Sequence, residues 1–300
     1  MTGLPEGLLA QATREDDVDA VVALVAACEI ADLGRAEVEP EDVRGDWRRP
    51  SFDLARDSIA VLAADRLVAE AEVFGGRAYG VVHPDHRRRG IGSWLLRWTE
   101  TRASQAGVAT LKQIVSDTDR SSVELLTRSG YEPTYTAWIL RIDLEDPPDP
   151  PSLPAGILLR PFVSGRDDRD VYQLIEGAFR ELSNYEPEDF DEWAAHTLRR
   201  SDFEPSLLHL AADDDDLVGA ALCLELEGEG WVEHLAIRRS HRRRGIGRAL
   251  LRHAFAEFHR RGRRTCGLST NSESGALTLY ESAGMRVASS YTAYVKDLRA

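Results

Sequence analysis

Two stretches of the chain have the residue types and spacing to hold an anion. HisArgArgArgGlyIleGly occupies residues 86–92 and recurs at 241–247, 155 positions later. Each copy follows a short apolar run, GlyValVal at 80–82 and LeuAlaIle at 235–237, and opens an amphipathic segment. Glycine lets backbone amides approach a ligand with no Cβ in the way. A helix beginning there aims its unsatisfied N–H groups and its positive dipole end at the same place. The arginines add charge-assisted hydrogen bonds, so the expected ligand is a phosphate or pyrophosphate. The four aspartates 213–216 lack the alternating spacing and closing glutamate of a calcium loop and read as a hairpin turn. No His or Cys cluster has zinc spacing, and no metal is expected.

The elements that must position these loops repeat with them. Gly107 and Gly262, which read as helix ends, lie 155 residues apart; LeuLeuThrArgSerGlyTyr (125–131) matches LeuTyrGluSerAlaGlyMet (279–285); TyrThrAlaTrp (135–138) matches TyrThrAlaTyr (291–294). Four landmarks in one order at a nearly constant offset describe a duplicated domain. Between the copies, residues 143–156 carry five prolines in fourteen positions and read as a semi-rigid linker. The expected organisation is an N-terminal domain 1–144, a linker 145–156 and a C-terminal domain 157–300. Periodicity predicts the same elements in each: a strand (8–13; 157–162), a helix (18–28; 168–179), a hairpin (59–73; 207–226) and a strand (77–83; 231–238). A long helix (91–106; 246–261), a strand (110–115; 264–270), a short helix (121–129; 275–282) and a last strand (134–144; 289–298) complete it. The fold class is α/β with a mixed sheet.

Composition limits the function. Lys and Arg total 37 against 51 Asp and Glu, a formal net charge of −14, which disfavours a nucleic-acid partner and suits a small cationic one. No apolar run reaches the roughly 20 residues that span a bilayer, and the N-terminus lacks a secretory layout. Cys28, Cys223 and Cys266 are isolated, which argues against a disulfide framework and for the cytoplasm. A monomer or a homodimer fits equally.

A strand leading into Arg/Gln-x-x-Gly-x-Gly and then a helix resembles the acyl-CoA pyrophosphate loop of the GNAT superfamily of N-acetyltransferases. Residues 271–285 resemble that family's second signature, a helix carrying LeuTyr before a Gly-hydrophobic turn. The resemblance covers both halves, a plan shared with the mycothiol synthases, whose acceptor is a cysteinyl-glucosamine pseudodisaccharide. It implies two tandem GNAT domains, acetyl-CoA as cosubstrate and a primary amine of a small molecule or peptide as acceptor. It places the pantetheine arm along Leu235, Ala236 and Ile237. The pyrophosphate falls on Arg242, Arg243, Arg244, Gly245, Ile246 and Gly247 with Arg248, and Asn271 lies near the arm. In the first copy the matching residues are Val81, Val82, Arg87, Arg88, Arg89, Gly90, Ile91 and Gly92.

The same resemblance separates the copies. Family members carry a general base on the strand before the loop, here Glu233, where the first copy has Ala78. The family tyrosine beside the thioester sulfur is Tyr280, where the first copy has Leu126. Chemistry is therefore expected in the C-terminal copy, and the N-terminal copy is expected to bind CoA weakly or structurally without turnover. Strand alternation sends His234 to the face opposite Glu233, a packing role. The acceptor is expected over residues 181–193, with six carboxylates and three aromatics. The alternative is a non-catalytic acyl-CoA-binding sensor or scaffold.

Overall fold

The computed structural model describes residues 3–182, 185–226 and 228–299. It forms two compact units: one runs up to Thr136 and includes everything from Ser290 onward, and the other spans Ala137–Ser289. The first begins with β1 (Leu8–Gln11), α1 (Val18–Leu33), α2 (Pro40–Trp47), α3 (Leu54–Asp57), β2 (Ser58–Ala63), β3 (Arg66–Phe74) and β4 (Arg77–Val82). It continues with α4 (Ile91–Gln105), β5 (Thr110–Ser116), α5 (Arg120–Arg128) and the start of β6 (Glu132–Asp143). The second holds β7 (Ile157–Pro161), α6 (Asp168–Phe179), α7 (Phe190–Ala195), β8 (Leu208–Asp213), β9 (Asp216–Glu225) and β10 (Gly230–Ile237). Then come α8 (Ile246–Arg260), β11 (Thr265–Asn271), α9 (Leu277–Ser282) and β12 (Arg286–Asp297). Both units are mixed α/β, as the periodicity predicts.

Three helices were not expected, and α2 and α7 are the two that matter. At eight and six residues they are too short to show a 3.6-residue stripe, and their caps define them. Pro40 opens α2 inside a Glu39–Asp42 capping box, and Asp189 accepts the amides of Asp191 and Glu192 at the start of α7.

The first unit's sheet runs β1-β2-β3-β4-β5-β12, and the second's runs β7-β8-β9-β10-β11-β6. All neighbours are antiparallel except β4 with β5 and β10 with β11. The domain borders expected from the repeat are therefore corrected. The end of β6, which closes the first repeat in sequence, pairs from Ala137 to Asp143 with β11 of the second unit. The end of β12 pairs from Tyr291 to Asp297 with β5 of the first. TyrThrAlaTrp and TyrThrAlaTyr present nearly the same pattern, so nothing local specifies which fifth strand each should join. Residues 145–156 carry no helix or strand, and Asp149 accepts Arg252 of α8 at 3.3 Å.

Core packing fixes the faces. On β3, Ala69, Ala71 and Val73 face the long helix, meeting Ile91, Leu95 and Ala103 of α4, and α1 packs against β3 and β4 as well. In the second unit α8 supplies Leu250, Leu251, Ala254, Phe255 and Phe258 to one core, and α6 supplies Val171, Leu174 and Ile175 to another. Among the described residues no helix is long and apolar enough to cross a membrane.

A fragment ending at residue 131 leaves β5 without its outer partner and buried Leu111 beside an open edge. It should melt without a cooperative transition by circular dichroism, and a peptide of residues 286–300 should restore one. A fragment that melts cooperatively unaided would contradict the exchange.

Candidate active site

The glycine-arginine loop has the same backbone in both units. β4 and β10 each end in a short 3-10 turn, at 84–86 and 239–241. Arg88 and Arg243 then take φ +61° and +64°, and Gly90 and Gly245 take φ +86° and +89° before α4 and α8 begin. Alternating left-handed residues turn successive amides into a concave anion nest, and the helix dipole points into it. An arginine held left-handed costs roughly 1–2 kcal/mol, and strain of this kind is retained where a ligand uses it.

The arginines divide their work. Arg87 donates from Nε to the Val82 carbonyl at 3.1 Å and lays both terminal nitrogens on Asp32 of α1 at 2.7 Å. Arg242 repeats this with the Ile237 carbonyl at 3.1 Å and Glu181 just beyond α6 at 2.6 Å. Both were expected to hold pyrophosphate, but their guanidiniums pin the loop to the strand end and to the helix before the hairpin. Arg244 donates to Asp213 at 3.3 Å and Arg248 to the Ser282 carbonyl at 3.3 Å, whereas Arg88, Arg89 and Arg243 project from the exposed loop. Ile91 and Ile246, also expected at the cofactor, are 1% exposed core residues that offer a ligand only their backbone. The aspartate run forms the expected turn, β8 ending at Asp213 and β9 beginning at Asp216.

Beside each loop the two parallel strands part. β4 and β5 share one register pair, Arg77 with Lys112. β10 and β11 share three, the last being Val232 with Leu268. Beyond these pairs Val81 and Val82, and Leu235, Ala236 and Ile237, lie on strand edges released from the parallel ladder. In the first unit the split opens into a cleft of about 820 Å³. Val81, Val82, Arg87, Arg88, Gly90 and Gly92 line it. A released strand edge leading to an anion nest suits an extended ligand with a phosphate end.

In the second unit β10 carries a bulge. Val232 pairs with Cys223 and His234 with Leu222, leaving Glu233 as the extra residue immediately past the last parallel pair. Trp231 donates its indole N–H to Glu233 Oε2 at 2.8 Å. The bulge corrects the expectation for His234. With one residue inserted, alternation is broken, and the imidazole packs on the α6 side, 5.4 Å from Phe179, where Trp231 also packs. Burial holds His234 below its usual pKa, with Glu233, His196 and Glu188 the charged groups acting on it. Its Nε2 is buried without a hydrogen-bond partner among the described residues. The ring thus packs as expected, but on the face opposite to the one simple alternation assigns, and beside Glu233.

Tyr280 lies on α9 at 7% exposure within the α8 core, and burial pushes its phenol up to about 12. Among the described residues its hydroxyl makes no hydrogen bond. Its counterpart Leu126 is a buried core residue. Asn271 spends its side-chain oxygen on the amides of Glu273 and Ser274, which makes it a turn former.

The acceptor stretch 181–193 keeps fewer carboxylates for a ligand than its composition suggests. Glu181 holds Arg242, Asp189 caps α7, Asp191 holds Arg199, Tyr185 donates to Glu176, and Trp193 is buried. Glu188, bonded to His196 at 2.7 Å, is the member of the stretch coupled to His234. Ser183 and Asn184 lie outside the described residues.

Comparisons with known proteins agree with this geometry. A family model described as Acetyltransferase (GNAT) family matches residues 66–131 and 169–285. A mycothiol acetyltransferase of Geodermatophilus obscurus is 32% identical over 290 residues, covering 89% of this chain and 90% of that one. A mycothiol acetyltransferase of Kineococcus radiotolerans is 34% identical over 244 residues, 78% of each chain. A crystal structure of a GCN5-related N-acetyltransferase from Sphaerobacter thermophilus superposes with a TM-score of 0.81 at 34% identity over 99% of this chain and 97% of that one. A tandem GNAT protein from the clavulanic acid pathway has the same fold, with a TM-score of 0.75 at 18% identity over 97% and 98%.

Gly90→Ala and Gly245→Ala meet no close contact, the nearest being Pro5 at 3.8 Å from a Cβ on Gly90, so each cost is backbone strain. Each should lower stability by about 1–2 kcal/mol and weaken acetyl-CoA binding by calorimetry. Unchanged affinity in both variants would show that the nests hold no phosphate.

Proposed function

The chain belongs to the acetyltransferase (GNAT) family, and on that premise we propose that its C-terminal unit moves an acetyl group from acetyl-CoA to a primary amine. The observation that carries this reading is the bulge. It sets Glu233 immediately beyond Val232–Leu268, the pair at which the split begins. A thioester threaded along the released edge of β10, with its phosphates in the 243–247 nest, brings its carbonyl carbon to that point.

Each residue then has a task. The acceptor ammonium enters from the α6 side and passes a proton to Glu233, whose carboxylate the Trp231 indole orients. Neutral His234 and the Glu188–His196 pair line that approach and suit a cationic amine. The nitrogen bonds to the thioester carbonyl carbon while the released β10 amides stabilise the developing oxyanion. The carbon–sulfur bond breaks, and the electron pair stays on sulfur. Tyr280, with its phenol near 12, is fully protonated at neutral pH and donates a hydrogen bond to that thiolate. Complete proton transfer to a thiolate of pKa about 8.5 would run uphill by about 5 kcal/mol. The hydrogen bond is therefore the productive interaction, and the second nitrogen proton ends on sulfur. Three free, buried cysteines support a cytoplasmic setting.

A second reading narrows the acceptor to the amine that mycothiol acetyltransferases use, favoured by relatives of that name at 32% and 34% identity over most of the chain. One experiment decides between them: acetyl-CoA with an amine panel that includes the cysteinyl-glucosamine pseudodisaccharide, products read by mass spectrometry. Acetylation of a primary amine is expected, with kcat falling roughly 10²–10⁴-fold in Glu233→Gln and at least about tenfold in Tyr280→Phe. Acetyl-CoA binding with no CoA released by any amine would leave a sensor in place of an enzyme. Unchanged kcat in the double variant would refute the assigned residues.

A further inference from the structure

The first unit lacks the bulge and the tyrosine, yet it carries carboxylates on the strand next door. Ala69, Ala71 and Val73 face α4, so alternation turns Glu70 and Glu72 of β3 to the other face. Glu70 is 1% exposed, and neither of its oxygens meets a donor among the described residues. Burial, reinforced by the charge of Glu72 and by a close carboxyl–carboxylate contact with it, pushes its pKa well up. Glu72 is partly exposed and accepts the Trp47 indole N–H at 2.5 Å. Burial raises it to about 7, against the Trp47 bond and with help from Asp46. Glu70 is thereby held as the neutral acid, and Glu72 is the member of the pair that can meet an ammonium as a carboxylate.

A cavity of about 220 Å³ adjoins Glu72, lined by Asp46, Arg49, Arg77, Tyr79 and Lys112 among others. Two of its walls, Arg77 and Lys112, are the pair at which β4 and β5 part. Tyr79 sits opposite Glu72 in the β3–β4 register and lines both this cavity and the 820 Å³ cleft. The cleft and the cavity therefore share Tyr79 as a wall, and Glu72 lines the cavity beside it. The lining combines carboxylates with Arg49, Arg77 and Lys112 and with the rings of Phe52, Phe74 and Tyr79. That mixture disfavours a polyamine and fits a small zwitterion, its ammonium at Glu72 and its carboxylate toward the cationic wall.

We propose that the first unit is a second acyl-transfer centre, binding the primary ammonium of an amino-acid-sized zwitterion at Glu72, backed by Glu70, and acetylating it from the thioester in its own cleft. The proposal rests on the family's use of acyl-CoA and is independent of Glu233 and Tyr280. Glu72 takes one ammonium proton and returns it to water. The nitrogen forms a bond to the thioester carbonyl carbon, the carbon–sulfur bond breaks with its electron pair on sulfur, and the second nitrogen proton ends on that sulfur as CoA thiol.

Two measurements on the full chain test it. Calorimetry without thioester uses glycine, leucine and phenylalanine, each against the matching acid lacking the amine. An amino acid should bind where its control does not, and Glu72→Gln should weaken it at least about tenfold. Ile114→Trp, at an exposed lining position, fills the cavity without altering either carboxylate and should give the same loss if Glu72→Gln fails to fold. The second measurement follows acetylated amino acids by mass spectrometry in Glu233→Gln/Tyr280→Phe. Product that persists there and disappears on adding Glu72→Gln or Ile114→Trp supports the second centre. No binding, binding indifferent to both substitutions, or binding without product overturns it. If the double variant keeps full activity on every amine, only the assignment of Glu233 and Tyr280 fails.

Discussion

Two parallel strands that stop pairing partway along their length govern this molecule. The β10–β11 ladder ends at Val232–Leu268, and β4–β5 holds a single pair. Unpaired backbone inside a fold is costly unless something else satisfies it. An extended ligand with its own amides and carbonyl meets that need. The other features of each unit follow from the parting. The loop beyond the strand turns left-handed amides toward the split, the helix after it adds its dipole, and the first arginine of each triplet ties loop to strand through the last strand carbonyl. The sheet remains intact around the split because its far edge is closed by a strand from the other repeat.

The two units place carboxylates differently around the split. In the second, a bulge adds one residue to β10 and places Glu233 at the apex, with the Trp231 indole on its carboxylate. In the first, β4 keeps a regular register, Ala78 faces the core, and the carboxylates sit one strand over at Glu70 and Glu72, with the Trp47 indole on the second. An indole N–H on a half-buried glutamate recurs although neither residue is equivalent in sequence. Comparing aligned positions therefore finds no base in the first copy, whereas the structure finds an acidic pair two residues apart on β3.

The legible parts of the sequence were those written in residue type. Glycine and arginine announced the nests, the apolar period announced α1, α4, α6 and α8, and the repeated landmarks announced two domains. Three features depend on geometry that residue type does not encode. The bulge changes which face His234 occupies without altering the alternation visible in TrpValGluHisLeuAlaIle. The exchange of β6 and β12 is invisible because the two strands carry nearly the same pattern. Glu70 and Glu72 read as ordinary polar positions of a half-exposed strand, since only the covering of that face buries them. Arg87 and Arg242 show a related limit: composition shows a cation, and only the fold shows Asp32 and Glu181 already beside it.

The position of the coenzyme in the second unit decides the assignment of Glu233 and Tyr280. A crystal structure of the chain soaked with CoA measures this directly. The diphosphate is expected in the 243–247 nest and the thiol sulfur beside the Tyr280 hydroxyl, on the side of the bulge that holds Glu233. A nucleotide seated elsewhere, or a sulfur distant from Tyr280, would contradict it.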